Sequence, residues 1–122
     1  MTACNWKLNL DRDKFLAQHW QSKALLIRNA ISEFKPPVSS HELAGLALEE
    51  QVESRLIECR DNAWKVHHCP FHTDDFDRDP PWTLLVQAVD HYFPEVAALR
   101  KLIDFIPQWR VDDIMVSYAV EG

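Results

Sequence analysis

The chain has 122 residues, of which 47% are hydrophobic and 26% are charged, and its formal net charge is −6. This length suits one domain, and the apolar content excludes an intrinsically disordered chain. The acidic balance argues against nucleic-acid binding through phosphate contacts and suits a basic partner. The sequence shows neither an apolar run of the roughly 18 residues needed for a membrane span nor a secretion signal. We therefore expect a cytoplasmic protein.

The cysteine and glycine counts narrow the fold class. Cys4, Cys59 and Cys69 are an odd number of widely separated cysteines, which do not form a disulfide framework. Only 2 glycines are present, where an average usage of about 7% gives roughly 8 or 9. Tight turns with positive φ favour glycine, so this composition argues against a closed all-β domain.

The first half of the chain contains two helix signals. Asp11 is the predicted N-cap of one helix, and Ser39 with Glu42 has the capping-box spacing that begins a second. Between them, residues 24–28 form a short apolar stretch that predicts a strand.

A hairpin follows these helices. Residues 55–60 and 63–68 read as two strands joined by a turn at 61–62, with Ile57 and Cys59 on one face of the first strand. Residues 71–81 read as an acidic loop that ends in two prolines.

Helical spacing continues after this loop. From Trp82, the shared face of Leu85, Val86, Val89 and Phe93 predicts a helix. Pro94 suits the first turn of another helix, which Pro107 ends.

Residues 111–120 predict the last strand. Its period of two gives one mostly apolar face, which we expect to pack against the core and which consists of Asp112, Ile114, Val116, Tyr118 and Val120. The opposite face carries a carboxylate, a thioether and a hydroxyl, on Asp113, Met115 and Ser117.

Histidines and a cysteine cluster at the end of the hairpin, at His67, His68, Cys69 and His72. Zinc uses such ligands, but adjacent strand residues point to opposite faces, and no second Cys/His pair completes a four-ligand set. The triplet His72-Thr73-Asp74 also matches the H-x-D spelling of iron oxygenases, although it lies in the acidic loop. We interpret both patterns as ordinary strand-end and loop residues.

A set of segments, in order and at matching spacing, resembles the N-terminal part of the bacterial cupin-like, JmjC-type ribosomal oxygenases. Members of this family are iron- and 2-oxoglutarate-dependent enzymes that hydroxylate an arginine of a large-subunit ribosomal protein. Cys69 departs from the family, which usually has glycine there. The matching segments are residues 15–21, 25–28, 41–47, 53–56, 64–66, 70–71, 82–89 and 107–117.

The resemblance implies an α+β fold, with a helical N-terminal part and the first strands of a double-stranded β-helix (jelly roll). Residues 1–122 would be the N-terminal part of a single, incomplete domain that ends before the iron-binding strand. Fe(II) and 2-oxoglutarate are implied for a full-length family member, but no catalytic, cofactor-binding or metal-binding residue is assigned here. We expect the chain alone to be inactive, and to be marginally stable or to self-associate through an unpaired strand edge.

The same resemblance suggests substrate-binding residues. Asp113 and Met115 match the family's Trp-Arg-x-Asp-Asp-x-Met run, at residues 109–115. Asp113 would bind the guanidinium of the target arginine, Met115 would pack on its aliphatic stem, and Ser117 would add a hydrogen bond. The alternative for Asp113 is a local cap or a pairing with Arg110.

Two other functions stay open at this point. The chain could be a truncated, non-catalytic binding module for a basic protein partner, or part of a related cupin oxygenase with another protein substrate. The favoured interpretation is an arginine-hydroxylating ribosomal oxygenase whose partner is a basic ribosomal protein.

Overall fold

A single antiparallel sheet organises the computed structural model, which describes residues 6–120; Cys4 lies outside them. The sheet has the strand order β2-β1-β3-β4. The strands are β1 (Ser54–Arg60), β2 (Ala63–His68), β3 (Trp82–Val86) and β4 (Val116–Val120). The α-helices are α1 (Arg12–Gln18), α2 (Ser40–Ala47) and α3 (Pro94–Ala97). The predicted α+β class is confirmed.

The core lies between one face of the sheet and the helical segments. On the sheet, Leu56, Leu84 and Val86 alternate with more exposed residues and are almost completely buried. They pack with Leu43 and Ala47 of α2 in one hydrophobic cluster. Of the predicted core face of the last strand, Ile114, Val116 and Val120 pack against this cluster, whereas Asp112 and Tyr118 are exposed.

Both predicted N-caps are present. The Asp11 side chain accepts a hydrogen bond from the Lys14 N–H, 3.1 Å away, at the start of α1. At the start of α2, the Ser39 hydroxyl accepts from the Glu42 N–H at 3.1 Å, and the Glu42 carboxylate accepts from the Ser39 N–H at 3.0 Å. These reciprocal bonds satisfy backbone donors that the helix leaves free.

The predicted hairpin is also confirmed, with β1 one residue longer than expected. Asp61 and Asn62 have φ angles of 51° and 63°. Two successive positive φ values match the twist of a two-residue hairpin turn, and Asp and Asn tolerate them better than most residues.

The predicted helix from Trp82 is wrong. Residues 82–86 form β3, which pairs with β1 on one side and β4 on the other. A short apolar run in a central strand is hard to distinguish from a buried helix by spacing alone, because Leu84 and Leu85 put apolar side chains on both faces of the strand and obscure its alternation. Ala88 has a left-handed backbone, and a 3-10 turn follows at Val89–His91.

Three other predictions change. The predicted strand at residues 24–28 is wrong, since these residues pair with no strand and Leu25 and Leu26 are exposed between the left-handed residues Gln21 and Asn29. The acidic loop contains a 3-10 turn at Thr73–Phe76, and the helix begun by Pro94 continues after Ala97 as a 3-10 segment, Ala98–Ile103.

Candidate functional site

The candidate substrate-binding residues lie on the segment that leads into β4. The strand begins at Val116, so the prediction of a strand from residue 111 is wrong for residues 111–115. Ser117 lies in the ladder opposite Leu85, whereas Asp113 and Met115 precede it. Asp113 is half-buried, and Met115 and Ser117 are exposed.

Ser117 belongs to the sheet face opposite the core, here named the open face. Strand register places two rows of side chains across it. One row contains His68, Arg55, Leu85 and Ser117, and the next contains Val66, Ile57, Thr83 and Ala119. Beyond these rows, Trp64 is 73% exposed at the end of the hairpin. The site therefore adjoins an extended and partly apolar surface.

A partly buried ion pair between Asp90 and Arg100 holds the backbone around Asp113. The Asp90 Oδ2 atom lies 2.9 Å from Arg100 Nη1, and Asp90 Oδ1 accepts a hydrogen bond from the Ile114 N–H at 2.9 Å. Arg100 also donates to the backbone carbonyls of Val111, at 3.2 Å, and Asp112, at 3.3 Å. This network explains why residues 111–114 lie against the 3-10 segments instead of extending the strand.

The charge of Asp90 is stabilised by these contacts. Burial by itself would raise the pKa of the Asp90 carboxyl, but the hydrogen bonds from the Ile114 N–H and the Arg100 guanidinium outweigh it. The pKa of Asp90 is therefore below its ordinary value. Asp90 is ionised at neutral pH and holds Arg100 in place.

The alternative pairing of Asp113 with Arg110 is not formed. The Arg110 guanidinium lies over the rings of Trp20, at 5.7 Å, and Trp109, at 5.4 Å. Within residues 6–120, no ion pair or side-chain hydrogen bond involves the Asp113 carboxylate. Asp113 thus presents a carboxylate that the neighbouring basic residues do not use.

The histidines of the hairpin lie apart from this site. His67 bonds to Glu58 at 2.9 Å, and His68 lies on the open face, so the two rings are on opposite sides of the sheet as predicted. Nowhere in the part of the chain that the structure describes do three His, Cys, Asp or Glu side chains gather to hold a metal ion. These residues do not provide the two histidines and one carboxylate that Fe(II) oxygenases use.

Sequence reasoning missed three residues of this region. Asp90 and Arg100 sit in a stretch that reads as helical surface, and their partners are backbone groups that no side-chain motif reveals. Arg55 shares its row with Ser117, and its Nε–H is buried without a hydrogen-bond partner among residues 6–120. An arginine inside an apolar strand pattern is the signal that could have drawn attention to it.

No helix within residues 6–120 is long and apolar enough to span a membrane.

Comparisons with known proteins identify relatives over almost the whole chain. No known protein-family profile matches the sequence. The ribosomal protein uL16 3-hydroxylase of Escherichia coli is 41% identical over 117 residues, which are 96% of this chain and 31% of that protein. A probable ribosomal oxygenase of Haemophilus influenzae is 41% identical over 110 residues, 88% of this chain and 27% of the relative.

Solved structures agree with these sequence matches. YcfD, a ribosomal oxygenase from Escherichia coli in complex with cobalt and succinic acid, superposes with a TM-score of 0.91 at 41% identity, over 97% of this chain and 33% of that one. Its complex with cobalt and 2-oxoglutarate gives a TM-score of 0.89 at 40% identity, over 95% and 32% of the two chains. The prediction of a partial cupin/JmjC-type fold is confirmed by these matches. By sequence and by fold, the chain is homologous to the bacterial ribosomal oxygenases over about a third of their length.

Proposed function

We propose that this chain forms the substrate-binding part of an oxygenase that depends on Fe(II) and 2-oxoglutarate and hydroxylates an arginine of a large-subunit ribosomal protein. Residues 1–122 would be the N-terminal part of a single cupin/JmjC-type domain. The observation that carries the proposal is the superposition of nearly the whole chain on YcfD. A ribosomal substrate would also place the protein in the cytoplasm.

The proposed binding residues are Asp113, Met115 and Ser117. The Asp113 carboxylate has two oxygens that can accept paired hydrogen bonds from a guanidinium, which is the strongest geometry for this pair of groups. The flexible, exposed Met115 side chain suits the aliphatic stem of an arginine. The net charge of −6 favours the approach of a basic ribosomal protein.

Fe(II) and 2-oxoglutarate, when bound, supply the oxidising chemistry of this class of enzyme. Because residues 6–120 do not bring together a metal-binding set, we assign no chemical step to them. The proposed role of these residues is to bind the target arginine by its guanidinium and to leave a side-chain carbon accessible to the reaction centre.

The test uses the intact protein that carries this chain, supplied with Fe(II), 2-oxoglutarate and arginine-containing peptides from large-subunit ribosomal proteins. Mass spectrometry should show the gain of one oxygen atom on an arginine. The same peptide with lysine at that position should stay unmodified. Turnover only on other proteins would instead indicate a related oxygenase, and peptide binding without turnover would indicate a binding module.

A pair of substitutions tests the assignment of Asp113 to the substrate-binding site. Asp113→Asn keeps the side-chain shape but removes the charge, so the peptide KM should rise about tenfold while kcat changes little. Asp112→Asn is the matched control, because the neighbouring Asp112 is exposed and its side chain lies outside the network described above. Equal effects of the two substitutions on the peptide KM would show that Asp113 does not bind the substrate.

A further inference from the structure

We propose that Asp90 and Arg100 form a brace that positions Asp113 for guanidinium binding. The two residues lie outside the segment they hold, and neither is a candidate for substrate contact. This inference rests on the function proposed above, because it assumes that Asp113 binds the target arginine. Asp90 and Arg100 are thus positioning residues that act through the backbone.

The brace holds the peptide group on each side of Asp113. The carbonyl of Asp112 belongs to the peptide group that precedes Asp113, and it accepts a hydrogen bond from Arg100 Nη1. The N–H of Ile114 belongs to the peptide group that follows, and it donates to Asp90 Oδ1. With both flanking peptide groups held, the backbone dihedral angles of Asp113 are restrained, and so is the direction of its Cα–Cβ bond.

The two halves of the brace are joined and partly shielded from water. The Asp90 side chain is 3% exposed and the Arg100 side chain is 26% exposed. Asp90 uses one oxygen for Arg100 and the other for the Ile114 backbone. Hydrogen bonds to ionised groups are shorter and stronger than neutral ones, particularly where water is excluded. The Ile114 carbonyl is held as well, since it accepts from the Val89 N–H at 2.9 Å.

The position of the brace indicates a role in substrate recognition as well as in the stability of the fold. The β3–β4 ladder supports the backbone only from Val116 onward. Asp113 precedes that ladder, and its carboxylate is unused by the rest of residues 6–120. A loop held in its binding conformation loses less entropy when a ligand arrives, which increases affinity without any new contact.

A double-mutant cycle tests whether Arg100 acts through Asp113. The affinity of the intact protein for an arginine-containing ribosomal peptide is measured in the wild type, Arg100→Gln, Asp113→Asn and the double variant. Arg12→Gln is the control, because Arg12 forms an exposed ion pair with Asp104 at 3.0 Å outside the brace. Arg100→Lys keeps the charge but cannot reproduce the planar fork that reaches both carbonyls.

We expect Arg100→Gln to weaken peptide binding about tenfold in the wild-type background and less than about twofold in the Asp113→Asn background. Arg100→Lys should give an intermediate loss, and Arg12→Gln should change affinity less than about twofold. Equal losses from Arg100→Gln in both backgrounds would overturn the inference, because Arg100 would then act independently of Asp113.

Amide hydrogen exchange provides a measurement that does not need the peptide. In the wild type, the Ile114 amide should exchange slowly, and Arg100→Gln should accelerate its exchange at least about tenfold while the amides of β1 and β3 stay protected. Unchanged exchange at Ile114 would overturn the brace itself.

The two experiments also separate this inference from the proposed function. If the intact protein binds no ribosomal peptide although the Ile114 exchange responds to Arg100→Gln, the proposed function fails and the structural part of the brace holds. If Asp113→Asn weakens binding and Arg100→Gln does not, the proposed function holds and the positioning role is refuted.

Discussion

The Arg78 Nη1 atom lies 3.2 Å from Glu58 Oε1, and this ion pair joins the acidic loop to β1. The Arg78 Nε–H also donates to the Asp75 carbonyl at 2.6 Å. On the other side of the pair, the same Glu58 oxygen lies 2.9 Å from His67 of β2. One carboxylate therefore connects the acidic loop to both strands of the hairpin.

Glu58 gives a prediction about pH. The hydrogen bond with His67, together with Arg78, lowers the pKa of the Glu58 carboxyl, although burial opposes the shift. A lowered pKa in the folded state adds stability above the ordinary carboxyl pKa of about 4.3, and this stability is lost as pH falls through the lowered value. Glu58→Gln should lower the melting temperature by a few degrees at pH 7 and should make little difference at pH 3.

Melting curves across this pH range check the prediction. Glu49→Gln is the control, because Glu49 is exposed and forms none of the ion pairs within residues 6–120. A Glu58→Gln effect that is the same at pH 3 and pH 7 would contradict a role for the charge.

Leu84 should be one of the most sensitive core positions. It lies in the central strand β3, is 1% exposed, and pairs with Leu56 and Tyr118 on either side. Leu84→Ala should reduce the free energy of unfolding by about 3 kcal/mol, through lost burial and the cavity that remains. Leu26→Ala, at a side chain that is 77% exposed, should change it by less than about 0.5 kcal/mol. Urea titrations of both variants decide the matter, and similar costs would refute the assigned core.

The hairpin turn should respond to the shape of the residue at position 62. Asn62 has a φ of 63°, a conformation that glycine adopts without strain and β-branched residues avoid. Asn62→Gly should keep or slightly increase stability, whereas Asn62→Val should cost about 1–2 kcal/mol. Denaturant unfolding compares the pair directly, and a tolerated valine would mean that the turn has another conformation.

The outer edge of β4 leads to a prediction about association. Within residues 6–120, β4 pairs only with β3, so its other edge has no strand partner. We expect the 122-residue chain to self-associate with increasing concentration, because an unpaired edge can bind another strand. Sedimentation velocity should show this association. Ala119→Lys should reduce the association, because it places a charge on the edge strand β4.

Gln51→Lys adds the same charge at an exposed turn and serves as the control. A monomer at every concentration, or equal effects of the two lysines, would contradict association through this edge.

Features that depend on neighbouring residues could be predicted from the sequence. The two N-caps, the hairpin with its turn, and the helix start at Pro94 each involve residues a few positions apart. The apolar face of the last strand was also predictable, since alternation alone separates the core side of a half-buried strand from the other. The resemblance in segment order supplied the family, and the candidate residues Asp113, Met115 and Ser117 followed from it.

Other features depend on residues that are distant in the sequence. The run from Trp82 has both helix-like and strand-like spacing, and it is a strand because β1 and β4 supply its hydrogen-bond partners. Similarly, the last strand begins at Val116 and not at Val111, because Asp90 and Arg100 bind the backbone of residues 111–114.

The sequence by itself therefore determined the two N-caps, the hairpin with its turn, the helix start at Pro94 and the α+β class. Only the tertiary structure decided the central strand, the order of the sheet and the support around Asp113. The physical reason is that a helix or a tight turn satisfies its backbone hydrogen bonds within a few residues, whereas a strand obtains them from whichever chain segment packs beside it.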